Sequence, residues 1–293
     1  MSFEDKPKIE RSYEKISPTA WGVAWRRTFT DIPYSREIFE QLQMMHSPGE
    51  RDFETVTKAS VLTPLQEARY KLVNKLLANS NIKQVLELAA GLAPRGLELT
   101  QDPEIVLSEL DLPGIMHEKK VIVTALLGES PRPNLTLVEG SALSTVDIAR
   151  ATNVFQKGKE VAVVNEGLLS YLPHDEISIL ASNILSILKE YGGVWITPDI
   201  VFESAFKKLS NQSDELRQQR RSVSKMAGIQ DEANYFKDEA DARKFFEDRG
   251  FTIEKHSFSE IFDELSSPRT LSLTAESTRE LIEPFMVFVM RAK

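Results

Sequence analysis

The segment Val85–Leu99, VLELAAGLAPRGLEL, carries the first chemistry legible in this chain. An apolar run passes through small residues at Ala89, Ala90 and Gly91 and restarts as a helix near Pro94. Strand, tight turn and helix in that order hold a nucleotide-like ligand against the turn. A pyrophosphate would need G-x-G-x-x-G for close backbone approach, whereas Gly91 and Gly96 here stand among alanines, Leu92, Pro94 and Arg95. The turn therefore suits a nucleoside that carries no phosphate. Asp111 lies at the mouth of the next apolar run, twenty positions beyond Gly91 (111 − 91), where a carboxylate can accept both hydroxyls of a ribose. Taken alone, it reads equally as a solvated loop residue.

Two further charges stand where charges are costly. Leu65, Leu72 and Leu76 mark one face of a helix at 100° per residue, and Arg69 falls within that stripe. A cation there must pair or meet a ligand carboxylate. Glu87, in the strand before the turn, is available as an ion-pair partner and also belongs to the candidate ligand-binding set. Further on, VAVVNEGLLSYLPHDE ends an apolar strand at Asn165-Glu166-Gly167. Glu166 then faces a cationic amino group or sulfonium, or is an ordinary loop carboxylate, while Tyr171 and Pro173 close the loop. S-adenosylmethionine is the common ligand that combines a phosphate-free nucleoside, a carboxylate and such cations.

Positioning these residues requires strands whose ends converge. Apolar runs occur at 84–90, 105–110, 135–138, 161–165 and 194–197, with turn or helical segments between most of them. This alternation predicts an α/β fold, a mainly parallel sheet with helices on both faces. TPLQEARYKLVNKLL opens the core with Thr63 as expected N-cap, Pro64 in the first turn and Gln66 completing a capping box. DEISILASNILSILKEYGG carries a helical stripe of Ile177, Leu180, Ile184, Leu185 and Leu188, stopped by Gly-Gly. FTIEKHSF and PFMVFVMRA read as two closing strands with little between them for a crossover helix, so the last is expected to be antiparallel. Residues 1–60 read as a helical N-terminal lid and 61–293 as the core. A helical insertion at about 201–238 is expected at the substrate cap, because insertions after the carboxyl ends of strands border the ligand.

Composition narrows the function. The chain of 293 residues is 41% apolar and 27% charged, with a net charge of 36 − 44 = −8, which disfavours nucleic acid and anionic membrane surfaces as partners. Cysteine is absent, so thiolate chemistry and Cys-ligated zinc are excluded. His46, His117, His174 and His256 lie far apart, and no metal site is expected; His46 and His174 read as surface residues, not as bases. The polar start MSFEDKPKIERSYEKISP and the lack of an apolar run of about 20 residues lead to the expectation of a cytoplasmic protein. Arg217, Arg220 and Arg221 form a basic run in the insertion that reads as a solvated helix face. A nicotinamide-dependent oxidoreductase is disfavoured by the missing glycine, Leu92 and Pro94. A ligand- or partner-binding protein without catalysis is the alternative to an enzyme; the intact set of Arg69, Asp111 and Glu166 weighs against decay of the ligand site and says nothing of the acceptor pocket.

Together, SPTAWGVAWRR, the EAR at Glu67–Arg69, ELAAGLAPRG, SELDLPGIMHEKK, EGSAL, NEGLLSYLP and the final GFTIEKHSF…MVFVM resemble the leucine carboxyl methyltransferase family. Within it, the chain is similar to the bacterial branch of tetracenomycin-type polyketide O-methyltransferases. The resemblance spans about residues 17–290 and rests on the combination of motifs. It implies a class I S-adenosylmethionine-dependent methyltransferase fold, Rossmann-like, with a seven-stranded sheet and S-adenosyl-L-methionine as methyl donor. It further implies that Arg69 binds the methionine carboxylate, Asp111 the ribose, and Ala89 to Gly91 the cofactor by close backbone approach. Glu166 would face the methionine end, and Ser141 and Ala142 would flank the adenine. Ala89 stands where many relatives have glycine, and Ser141 where a carboxylate commonly receives the adenine amino group. The expected reaction is O-methylation of a small-molecule acceptor, a carboxylate before a phenol, with Tyr171 orienting the acceptor or simply closing the pocket. A protein phosphatase, the acceptor of eukaryotic members, fits the bacterial-like motifs less well.

Overall fold

The computed structural model describes residues 18–46, 62–205 and 235–293. In chain order the elements are α1 (Pro18–Arg27), α2 (Ser35–Met45), α3 (Thr63–Ser80), β1 (Gln84–Leu88), α4 (Arg95–Leu99), β2 (Val106–Asp111), α5 (Pro113–Leu127) and β3 (Leu135–Glu139). They continue with α6 (Thr145–Thr152), β4 (Val161–Asn165), α7 (His174–Tyr191), β5 (Gly193–Thr197), α8 (Glu239–Glu247), β6 (Phe251–Ser257), α9 (Ser267–Thr270), α10 (Ala275–Ile282) and β7 (Met286–Ala292). Single 3₁₀ segments span Leu169–Tyr171 and Phe258–Glu264.

The seven strands form one sheet in the order β3-β2-β1-β4-β5-β7-β6. β1 to β5 are parallel, and β7 runs antiparallel between β5 and β6. Every residue of β1 and β4 is buried, as befits central strands covered on both faces. Alternate side chains divide between two cores. Leu86, Leu88, Val161, Val163 and Trp195 pack with α6, α7 and α8. Val85, Ala162, Val164, Val194 and Ile196 pack with α3 and α10. The strand order reverses between β1 and β4, which leaves a crevice at their carboxyl ends. A third cluster joins Trp21, Ala24 and Trp25 of α1 to Leu42 of α2 and to Ile115 and Ile122 of α5.

The five parallel strands fall within two residues of the apolar runs read from the sequence, and the last strand is antiparallel as expected. Two expectations need correction. Thr63 is not the N-cap of α3: Leu62 occupies that place without a side-chain cap bond, so no Thr63–Gln66 capping box forms. Pro64 alone carries the start signal, because a first-turn proline gives up no helical hydrogen bond. The second correction concerns the stretch between β6 and β7, which holds a 3₁₀ segment and two helices. Antiparallel neighbours need no crossover, but Phe258, Ile261, Leu281 and Ile282 from this excursion cover one face of the sheet. Between α7 and β5 the chain reverses through Gly193 at φ +102°, where a Cβ would overlap the Val161 carbonyl. Of the expected lid, α1 and α2 are helical; residues 1–17 and 47–61 lie outside the described residues, as do 206–234 of the expected insertion, with Arg217, Arg220 and Arg221.

Candidate functional site

A cavity of about 280 Å³ opens at the carboxyl ends of β1, β2 and β4. One face of α1, presenting Thr19, Ala20, Val23 and Arg27, forms its wall opposite the sheet. The ten candidate cofactor and acceptor residues line this cavity: Arg69, Glu87, Ala89, Ala90, Gly91, Asp111, Ser141, Ala142, Glu166 and Tyr171.

The turn after β1 passes through two left-handed residues, Ala89 at φ 53° and Gly91 at φ 48°. Ala89 is strained there, since a Cβ crowds the following carbonyl in that region. Asp111 holds the turn: its Oδ2 accepts the Gly91 N–H at 2.6 Å and its Oδ1 the Leu112 N–H at 2.7 Å. Burial raises the Asp111 carboxyl above its ordinary value, against the pull of these two donors. Each oxygen keeps a second lone pair for a ligand hydroxyl. Beside it, Ser141 donates its N–H to Asp147 Oδ2 at 2.9 Å, which fixes the loop after β3.

The charged residues meet in one buried network. Glu166 accepts bonds from Arg27 Nη2 at 2.9 Å, Arg69 Nε at 3.0 Å and Arg95 Nη2 at 2.9 Å. Burial alone would raise the Glu166 carboxyl, but Arg69, Arg27 and Arg95 outweigh it and hold it down at about 2. Arg95, fully buried, also pairs with Glu87 and donates its Nε to Asn74 Oδ1 at 2.7 Å. Its guanidinium lies 4.6 Å from the centre of the Tyr70 ring. The ion pair considered from the sequence, Arg69 with Glu87, is thus replaced by two others, Arg69–Glu166 and Arg95–Glu87. Arg26, beside the network, is lowered to about 10 by burial and by Arg69.

Several valences in the cavity are left open. Glu87 Oε2 and Gln66 Oε1 are buried without a hydrogen-bond partner among the described residues, an arrangement costly unless a donor arrives. Among the described residues, Arg69 uses only its Nε, leaving both terminal nitrogens of its fork available. The three arginines against Glu87 and Glu166 leave a surplus of one positive charge (3 − 2). Tyr171 stands at the wall, its hydroxyl 3.3 Å from Thr19 Oγ1 of α1. Among the described residues, no histidine lines the cavity and no group of His, Asp and Glu could hold a metal. His46 and His174, expected at the surface, are half-buried, stacked on Trp21 at 4.1 Å and on Phe236 at 4.9 Å. Among the described residues, no helix is long and apolar enough to cross a membrane.

Sequence reasoning missed Arg27, Arg95 and Asp199. The AWRR motif held the first without a stated use, and Arg95 counted only as a residue unfit for a pyrophosphate turn. Asp199 ties the loop after β4 by accepting the N–H groups of Gly167 and Leu168, each at 2.7 Å; Thr-Pro-Asp after an apolar strand was its sole signal.

A family model described as leucine carboxyl methyltransferase matches residues 33–185. A protein of Mycobacterium sp. (strain KMS) named "Putative S-adenosyl-L-methionine-dependent methyltransferase" is 27% identical over 166 residues, 55% of this chain and 56% of its own length. The chain thus spans little more than half the length of such curated relatives. One of the same name from Mycobacterium avium (strain 104) is 23% identical over 287 residues, covering 85% of this chain and 87% of its own. Among solved structures, a DUF574 family protein from Streptomyces avermitilis MA-4680 superposes with a TM-score of 0.59 at 14% identity, covering 94% of this chain and 97% of its own. A "putative methyltransferase" from Thermobifida fusca YX gives 0.53 at 14% identity over the whole of both chains. These likenesses, with the observed strand order, give the chain the class I S-adenosylmethionine-dependent methyltransferase fold.

Proposed function

The chain belongs to the leucine carboxyl methyltransferase family, and on that premise we propose that it transfers a methyl group from S-adenosyl-L-methionine to an oxygen of a small molecule, a carboxylate before a phenol. The observation that carries this reading is the set of open valences in one cavity. Among the described residues, Arg69 offers a fork with both terminal nitrogens open and Glu87 Oε2 an unpaired acceptor. A carboxylate and an ammonium on one carbon, the end of a methionine, answer both. Arg69 receives that carboxylate and Glu87 faces the ammonium. Glu166, engaged by three arginines, holds Arg27 and Arg69 at the methionine end. Asp111 takes the ribose, Ser141 and Ala142 flank the adenine, and the Ala89-Ala90-Gly91 backbone lies along the nucleoside.

When bound, the cofactor supplies an electrophilic methyl group on a sulfonium. The protein positions the acceptor oxygen and keeps water away, with Val23, Leu143, Leu168 and Leu172 as apolar walls. Orientation of this kind is worth about 7–11 kcal/mol. A carboxylate acceptor, with a pKa of about 4, is ionised at neutral pH and needs no base, which fits a cavity lined by no histidine among the described residues. Tyr171, beside Thr19, donates a hydrogen bond that orients the acceptor. Helix α1, which walls the cavity, selects which acceptor enters.

Calorimetric titration with S-adenosylhomocysteine tests the cofactor reading, with NAD as control and Asp111→Ala as variant. Tight binding that NAD lacks and the variant loses supports it; a folded protein that binds no S-adenosylhomocysteine refutes it and leaves the non-catalytic alternative. Acceptor screening separates the two oxygens, because a methyl ester is cleaved by mild base and an aryl ether is not.

A further inference from the structure

Beneath the turn lies a second buried ion pair that the proposed reaction leaves unused. Glu109 of β2 is fully buried, Lys119 of α5 is 4% exposed, and Lys119 Nζ lies 2.5 Å from Glu109 Oε2. Replacing such a pair by apolar side chains of similar volume is often neutral or stabilising, so the fold alone does not account for it. Its contacts point elsewhere. Lys119 Nζ reaches the Ala90 carbonyl at 3.5 Å, inside the turn, and Glu109 Oε1 accepts the Gly96 N–H at 3.1 Å, at the start of α4. The pair therefore grips the segment on both sides of Pro94.

Lys119 is the member of the pair that reaches the turn itself. Glu109 and Asp111 sit two apart on β2 and share a face. Glu87 of β1 is the register neighbour of Glu109. Three carboxylates thus face this region, and the cations that meet them from the packed helices are Arg95 of α4, paired to Glu87, and Lys119 of α5. Burial holds the Glu109 carboxyl up at about 7 even with Lys119 beside it. Asp111 is likewise raised by burial, against the pull of the Gly91 and Leu112 N–H groups and then of Lys119, while Glu87 pushes it up.

We infer that Lys119, buttressed by Glu109, is a positioning residue for cofactor binding, which pins the Ala90 carbonyl and so fixes the turn that Asp111 holds. The inference rests on the cofactor reading above and concerns residues that never touch the ligand.

The test is calorimetric titration of S-adenosylhomocysteine between pH 5.5 and 8.5 on the wild type, Lys119→Met, Lys119→Arg and the double variant Glu109→Leu/Lys119→Met. Lys119→Met is expected to bind about tenfold more weakly at pH 7.5, with the acid limb of binding displaced to higher pH. Lys119→Arg restores most of the affinity. The double variant removes both charges together and keeps a folded reference should Lys119→Met alone be unstable; it too binds weakly. A pair with a purely structural role would change the melting temperature and leave affinity and pH profile alone. Wild-type affinity and pH profile in either folded variant lacking the lysine therefore overturns the proposal. A wild type that binds no S-adenosylhomocysteine overturns the cofactor reading itself, and the two failures are distinct.

Discussion

Glu166→Gln isolates the charge that organises the site. The carboxylate accepts from three arginines and is held at about 2 against an ordinary 4.5, burial being outweighed by Arg69, Arg27 and Arg95. At about 1.4 kcal/mol for each tenfold change, that depression corresponds to roughly 3 kcal/mol of folding free energy. The sign follows from the lowered value. The contribution is fully present above the unfolded carboxyl's pKa and is lost as pH falls through the folded one, so its window runs from about pH 4.5 to about pH 2. Glutamine keeps the shape and one acceptor but loses the charge, leaving the arginines facing one another around a neutral group. Urea unfolding at pH 7 should show the variant about 3 kcal/mol less stable. The gap should hold down to about pH 5 and shrink to less than half by about pH 3, where wild-type Glu166 begins to take up its proton. A gap below about 1 kcal/mol at neutral pH, or one unchanged at pH 3, would refute the claim that three arginines bind this carboxylate in its ionised form.

Gly96→Ala should destabilise by about 1–3 kcal/mol, because the new Cβ would overlap Glu109 Oε1 and meet Leu135 Cδ1 at 2.9 Å; wild-type stability on urea unfolding would mean this packing yields easily. Ala89→Gly removes a Cβ from a left-handed residue, a relief of about 1 kcal/mol that the glycine's greater unfolded-state freedom largely cancels. Stability should stay within about 1 kcal/mol and S-adenosylhomocysteine should bind at least as tightly; tenfold weaker binding contradicts close backbone approach at this turn. Tyr171→Phe should lower kcat on an identified acceptor with S-adenosylhomocysteine affinity intact, and an unchanged kcat leaves Tyr171 as a wall.

The parallel strands were legible because central strands buried on both faces are written as uninterrupted apolar runs, as in VAVVN. The location of the site was legible for a related reason. Residues of the wrong polarity for their element, Arg69 on an apolar helix face and Glu87 within a strand, stand out against the pattern. Pairing was not legible. Which arginine meets which glutamate depends on how α3 and α4 sit over the strand ends, and nothing in residue spacing records that. Arg95 escaped notice for this reason, since an arginine after a turn reads as solvated until α4 is folded over it and its exposure is seen to be zero. The helices between β6 and β7 were missed because the two strands pair antiparallel and a short link would serve. Yet the Ser257–Glu260 capping box and the Thr274 N-cap were there to be read.

The placement of α1 has a kinetic consequence. A nucleoside-sized ligand at the turn would lie against the helix that presents Thr19, Val23 and Arg27 to the cavity. The far side of that helix is fastened to α5 by the Trp21 Nε1–Glu118 bond of 3.0 Å. For a ligand that enters and leaves past this helix, loosening the fastening lowers the barrier for both directions alike. Residence time would then fall while the equilibrium constant hardly changed, and the duration of each occupancy could be adjusted by residues that no bound ligand ever contacts.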